Sequence, residues 1–177
     1  RLGTKEEERN PLIREFVPLA DLGDLVFGGW DPISPNVLEA ARTAGVLDGD
    51  DLSEISGDLE SIIPMEAVFD QQWVSRLDGV RVKDLDNKWD QAEALIQDIA
   101  NFKEENECDR LVMVWCGSTE AFQEPSEVHS SVASFEEGLR NNDPNISPSQ
   151  IYAYAALQSD VPFANGAPFL SCDLDCI

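Results

Sequence analysis

Positive charge is scarce in this sequence: 12 Lys and Arg stand against 35 Asp and Glu in 177 residues, a net charge of −23. Nucleic-acid grooves and anionic lipid surfaces select a basic stripe, which cations so outnumbered do not supply, so neither partner is expected. Long apolar runs are missing too. Nothing approaches the ~18 residues of a spanning helix and no secretory leader opens the chain, so a cytoplasmic setting is expected. Cysteine and histidine are few. Cys172 and Cys176 form one close pair, Cys108 and Cys116 stand apart, and His129 is the only histidine. A structural zinc site wants two close ligand pairs, so no metal is expected and the four cysteines read as reduced thiols. Internal repeats and low-complexity stretches are absent. A hydrophobic content of 42% with 8% aromatic is nevertheless ample for a core, and the length suits one domain or a little more. The pattern starts at Arg1 and stops at Ile177 without a closing element, as expected of a segment of something longer.

Residues 1–23 read as a charged lead-in, with Lys5 to Arg9 a solvated run in an arm or loop. Residues 24–177 read as the folded part. Asp24 to Gly29 is a short apolar run closed by two glycines, which predicts a buried strand ending in a tight loop. Ser34-Pro35 is the expected start of a helix that Gly45 ends, and Leu52, Ile55, Leu59 and Ile62 repeat helical spacing up to Pro64. Trp89, Ala92, Ile96, Ile99 and Phe102 trace another helix behind Asp86-Asn87. Leu111 to Trp115 has no polar position, the pattern of a parallel strand covered on both faces. Helices are expected over Ser126 to Asn141 and from Ser147-Pro148 to Gln158, then a short strand over Val161 to Ala164. This alternation is that of an α/β fold with a mostly parallel sheet.

In open α/β sheets ligands bind beyond the carboxyl ends of the strands. Three such ends carry small or polar residues: Gly28-Gly29-Trp30-Asp31, Cys116-Gly117-Ser118-Thr119-Glu120 and Asn165-Gly166-Ala167-Pro168. Glycine admits a ligand close to the backbone, amide N–H groups meet phosphate oxygens, and an acid such as Asp31 suits a ribose diol. Glycines also end many strands for turn geometry alone, so the weight lies in three loops at one predicted edge. No G-x-G-x-x-G run is present. A nucleophilic triad has no support, because His129 sits in a predicted helix as an exposed or capping residue and no histidine accompanies Cys116. Trp30, Trp73, Trp89 and Trp115 read as packing residues. The residues alone support a dinucleotide-binding α/β domain with its substrate open.

Several stretches resemble the myo-inositol phosphate synthase family, especially its prokaryotic branch. They are Leu25 to Asp31, Asp98 to Asn106, Val114 to Glu120, Ser147-Pro148-Ser149 and Pro162 to Pro168, in matching order over roughly residues 10–170. The resemblance implies a Rossmann-like sheet with helices on both faces, incomplete as given. It lacks the Gly-rich phosphate loop expected upstream and the lysine-rich catalytic segments expected downstream. It also implies NAD as cofactor and glucose 6-phosphate as substrate. The family oxidises C5, enolises, closes the ring in an intramolecular aldol step and reduces with the same hydride, giving inositol phosphate and regenerated NAD. Carried over, Asp31 contacts the adenosine side of NAD. Cys116, Gly117, Ser118 and Thr119 occupy the family's threonine-alanine-asparagine-threonine loop, and Gly166 and Ala167 match its glycine–serine pair. The first three positions of the loop depart from the common eukaryotic version, and Phe169 replaces an expected asparagine. No catalytic residue is assigned in this chain. A homotetramer is implied by the family alone.

Two other readings stand beside this one: a different NAD-dependent oxidoreductase domain, and an acidic, non-catalytic interaction segment. After Arg110 the only cation is Arg140, so charge for a phosphate would have to come from Arg76 or Arg81 folding over from the first half.

Overall fold

The computed structural model describes residues 12–168 and 171–177. The charge run Lys5 to Arg9 and the Phe169 departure lie outside them. Two short 3-10 turns, Ile13–Glu15 and Leu22–Asp24, precede the first helix. Then follow α1 (Val37–Ala44), α2 (Gly49–Ser61), α3 (Lys88–Glu105), β1 (Met113–Trp115), a 3-10 turn (Glu127–His129), α4 (Val132–Arg140), α5 (Pro148–Gln158) and β2 (Phe163–Asn165).

The expected strand over Asp24 to Gly29 does not form. Leu25, Val26 and Phe27 are exposed, and the one pairing nearby is an isolated parallel bridge between Trp30 and Met65. An apolar run becomes a strand only where a neighbour takes its hydrogen bonds, and among the described residues no strand does so for Leu25 to Phe27. The start of α1 also shifts. Ser34 donates its amide to Asp31 Oδ1 in the preceding turn, and Asn36 caps the helix by accepting from the Glu39 amide. Gly45, at φ 62°, closes α1 in the left-handed conformation that glycine takes without strain. Asp48 caps α2, which packs on α1 yet contains no buried residue, so its apolar spacing makes only a shallow contact.

α3 forms as its spacing predicts, capped by Asn87, with Leu95 added to Ala92 and Ile99 as its buried positions. The helix expected over Ser126 to Asn141 is divided. Ser131 takes an extended backbone (φ −162°) and accepts from the Ser134 amide, so α4 starts afresh there. α5 opens at Ser147-Pro148 as expected and is buried on nearly every side. Leu95, Phe135, Leu139, Ile146 and Ile151 fill the centre of the core among α3, α4 and α5.

β1 and β2 are parallel, with Met113 opposite Phe163, Val114 opposite Ala164 and Trp115 opposite Asn165. α4 and α5 make the crossover between them, as a parallel pair requires. Met113, Trp115 and Phe163 face the helical core. On the other face Val112 is 69% and Val114 59% exposed, so the described residues do not supply the second covering layer expected for Leu111 to Trp115. No helix among the described residues is long and apolar enough to cross a membrane.

Candidate functional site

The first loop is anchored on both sides. The Met65 amide donates to the Gly29 carbonyl (2.8 Å) and the Asp31 amide to the Met65 carbonyl (3.3 Å). The Trp30 indole N–H donates to Asp98 Oδ2 of α3 at 2.7 Å, and the ring meets Tyr152 edge-on at 5.2 Å. Gly28 lies against the Phe102 ring so closely that a Cβ would overlap it. Asp31 Oδ1 accepts from the Ile33 and Ser34 amides at 2.7 and 2.8 Å. That turn fixes the carboxylate, while Oδ2 has no partner among the described residues and stays free to accept from a hydroxyl.

The second loop leaves β1 at Cys116, and Cys116, Gly117, Ser118 and Thr119 are all exposed. Gly117 packs on the Trp115 indole, where a Cβ would stand 3.0 Å from the ring. Glu120 turns inward and is 5% exposed. Its Oε1 accepts from the Ser149 amide (2.8 Å) and its Oε2 from the Ser149 hydroxyl (2.7 Å), at the first turn of α5. Burial raises the Glu120 carboxyl above its ordinary value, against the opposing pull of bonds from Ser149 and Ser147. The α5 N-terminus is therefore occupied by a carboxylate and is not an open anion site.

The third loop joins the second at the strand ends. The Gly166 amide donates to the Trp115 carbonyl at 2.9 Å, and a Cβ on Gly166 would sit 2.9 Å from that oxygen. The Ala167 amide donates to Asn165 Oδ1 at 2.9 Å. Both amides are spent inside the protein, so these two positions offer close approach rather than N–H donors.

A cleft of about 700 Å³ lies along these strand ends. Gly28, Gly29, Trp30 and Asp31 line it together with Cys116, Gly117, Ser118 and Tyr152, whereas Thr119, Gly166 and Ala167 do not. Its walls are largely apolar, and no Lys or Arg among the described residues lines it. Size, apolar walls and a few convergent polar groups are what a dinucleotide half-site needs. Neither Arg76 nor Arg81 reaches it: Arg76 is exposed, and Arg81 donates to the Pro64 carbonyl at 2.7 Å behind the Pro32 turn.

His129 is buried, not exposed, and it is a capping residue. Its Nδ1 accepts from the Ser126 amide at 3.0 Å, which puts the proton on Nε2, 3.3 Å from Gln150 Oε1. With Glu120 it lines a hole of about 20 Å³, room for one water. The four cysteines are free. Cys116 is exposed, and burial pushes the Cys172 and Cys176 thiols up. The described residues hold no group of three or more metal-ligating side chains.

Sequence reading missed Glu120, Asp98 and Tyr152. The only trace of Glu120 is a lone acid closing an uncharged loop.

A family model described as myo-inositol-1-phosphate synthase, an NAD-binding family, matches residues 1–176. The chain is 45% identical to inositol-3-phosphate synthase 1 of Bacteroides thetaiotaomicron over 98% of its own length and 41% of the relative's. It is 34% identical to the inositol-3-phosphate synthase of Trypanosoma brucei brucei over 94% of its length and 32% of that protein's. The crystal structure of inositol-3-phosphate synthase from Caenorhabditis elegans superposes with a TM-score of 0.83 at 26% identity, covering 89% of this chain and 32% of that one. The chain thus spans 32–41% of the length of these relatives. The fold, the loops at the strand ends and the match across nearly all residues agree: this chain belongs to the myo-inositol-1-phosphate synthase family and is its NAD-binding, Rossmann-like α/β part.

Proposed function

We propose that this chain serves as the cofactor half of an inositol-3-phosphate synthase, an isomerase that converts glucose 6-phosphate to inositol phosphate. The supporting observation is the cleft at the ends of β1 and β2, where Asp31 and the Cys116–Ser118 loop meet around about 700 Å³ of largely apolar space. NAD, when bound, supplies a hydride acceptor that returns the same hydride at the end of the cycle.

This chain's own residues bind and orient. Asp31, held by its own turn, accepts from an adenosine-side ribose hydroxyl through Oδ2. Cys116, Gly117 and Ser118 face the dinucleotide from the cleft wall with Thr119 exposed beside them, and Gly117 lets it approach. Gly166 and Ala167 border the same strand ends, and the Trp115 ring walls the site against the core. In this reading residues 24–177 are the cofactor domain and 1–23 a lead-in. The substrate-phosphate and catalytic groups lie in polypeptide beyond this segment, as the relatives' greater lengths permit. A homotetramer in the cytoplasm and a role in supplying inositol for phospholipids travel with the family.

The test separates this reading from an ordinary dehydrogenase. The enzyme containing this segment is given NAD and glucose 6-phosphate, and both inositol phosphate and NADH are measured. Inositol phosphate without accumulated NADH is expected; NADH rising in step with turnover sinks the proposal.

A further inference from the structure

We propose that Glu120 is a positioning residue for the cofactor, its buried carboxylate tying the Cys116–Thr119 loop to the first turn of α5. The inference rests on the reading of that loop as part of the NAD site.

The loop has a hydrogen-bonded anchor at each end and, among the described residues, no hydrogen bond between them. At its start, Trp115 is held by the β1–β2 ladder and by the Gly166 amide on its carbonyl. At its end, Glu120 accepts twice from Ser149, and the next amide, of Ala121, donates to the Trp73 carbonyl at 2.8 Å. Cys116, Gly117, Ser118 and Thr119 make no hydrogen bond among the described residues, so their height over the cleft is set by the two ends. Glu120 ties its end through both carboxyl oxygens, which face two donors of one residue in a dry setting where such bonds hold firmly.

The partner is also well placed. α5 carries Tyr152, whose ring lies 5.2 Å from both Trp30 and Trp115, and it leads into β2 and the Asn165-Gly166-Ala167 loop. One carboxylate therefore sets the second loop against the helix that supports the first and delivers the third. A residue that merely capped α5 would alter stability alone. A positioning residue alters cofactor affinity in protein that is fully folded.

Four variants of the complete enzyme decide it, with NAD affinity read by calorimetry well below the melting temperature and kcat and the KM for NAD read at saturating sugar phosphate. Glu120→Leu removes both bonds. Glu120→Gln keeps them, because its carbonyl accepts from the Ser149 amide and its NH2 donates to Ser149 Oγ, whose own hydrogen turns to Ser147 Oγ 3.1 Å away. Ser149→Ala removes one bond. Glu120→Leu is expected to weaken NAD binding about tenfold while kcat at saturating NAD changes little. Glu120→Gln should restore binding to within about threefold, and the Glu120→Leu/Ser149→Ala pair should be no weaker than Glu120→Leu alone. Wild-type affinity in Glu120→Leu with a lowered melting temperature overturns the positioning role. A Glu120→Gln variant as weak as Glu120→Leu does so too. Should Glu120→Leu fail to fold, Ser149→Ala decides: weaker NAD binding supports the proposal and unchanged binding overturns it. A wild-type enzyme that binds no NAD overturns the cofactor reading itself, and this inference with it.

Discussion

Asp98 Oδ2 receives the Trp30 indole N–H at 2.7 Å, and the same oxygen takes the Lys83 ammonium at 2.8 Å. The pair bridges 68 residues of sequence and fastens the Gly28–Asp31 loop to α3. Lys83 and Asp98 are largely shielded, so the contact is screened less than a surface ion pair. Trp30→Phe removes the donor while leaving Lys83 to hold the carboxylate. A hydrogen bond to a charged group contributes roughly 1.5–3 kcal/mol, so a loss of about 2 kcal/mol in urea unfolding is expected, together with weaker NAD binding. Unchanged stability would mean that Lys83 alone satisfies Asp98.

Gly138 sets two effects against each other. In the last turn of α4 an alanine gains up to about 1 kcal/mol in helix propensity. Here, however, the new Cβ would overlap a Val128 methyl and stand 2.9 Å from Ile146 Cδ1, in a fully packed core. Overpacking of that kind costs about 1–3 kcal/mol, so packing wins. Gly138→Ala should lower the denaturation midpoint, and a rise would show that Val128 and Ile146 yield easily.

The sequence was legible at several helix ends. Asn87, Ser147-Pro148 and Gly45 announce helix ends by local chemistry, and α3, α5 and the close of α1 fall where they indicate. The loops after β1 and β2 were legible for the same reason. Leu25 to Phe27 misled, because an apolar run looks the same whether or not a neighbouring strand exists to pair with it. Glu120 and Asp98 fell within the stretches that were singled out, but their roles were not legible, since these come from partners 29 and 68 residues away. The Ser34 cap failed for a local reason: Asn36, two residues on, accepts from the Glu39 amide and caps α1 in its place.

Glu120 also predicts a pH dependence. Burial is the largest influence and raises its folded pKa, with Asp70 adding in the same direction and Ser149 and Ser147 opposing. An acid with a raised folded pKa holds its proton more tightly in the native state than in the unfolded chain. Its stabilisation is complete below the unfolded value, near 4.5, and is lost as pH rises through the folded one. Urea midpoints should therefore fall less steeply with rising pH in Glu120→Gln than in wild type. Equal slopes would place the dependence on other groups.

Salt should stabilise this protein. The described ion pairs are Arg42–Glu39, Lys83–Asp98 and Arg140–Glu136, few beside a net charge of −23. Asp48, Asp50 and Asp51 crowd one turn at the start of α2. At ~1 M salt the Debye length shrinks to about 3 Å, which weakens the dispersed repulsion more than it weakens these few contacts. Melting temperature should climb with NaCl, and a flat or falling trend would show that the attractive pairs dominate.

The last prediction is that these 177 residues do not complete the cyclisation alone. A sugar phosphate carries about two negative charges at neutral pH, the pyrophosphate of NAD adds more, and an enolate adds a third centre to be stabilised. Such charge needs cations or aimed N–H donors in a dry pocket. Among the described residues no Lys or Arg lines the cleft, and several are engaged elsewhere. Arg140 lies 3.7 Å over the Trp89 ring and 3.6 Å from Glu136, Lys83 holds Asp98, and Arg81 holds the Pro64 carbonyl. Lys88 donates to the Asp143 and Ile146 carbonyls at 2.6 and 2.7 Å. The α5 N-terminus is taken by Glu120, and the Gly166 and Ala167 amides by Trp115 and Asn165. What remains at the cleft is Asp31 and the exposed residues Cys116 to Ser118, enough to hold an adenosine end and too little to hold an oxyanion. The isolated chain, supplied with NAD and glucose 6-phosphate, should release no periodate-labile phosphate above background. Turnover near the rate of the complete enzyme would place the catalytic groups within these residues.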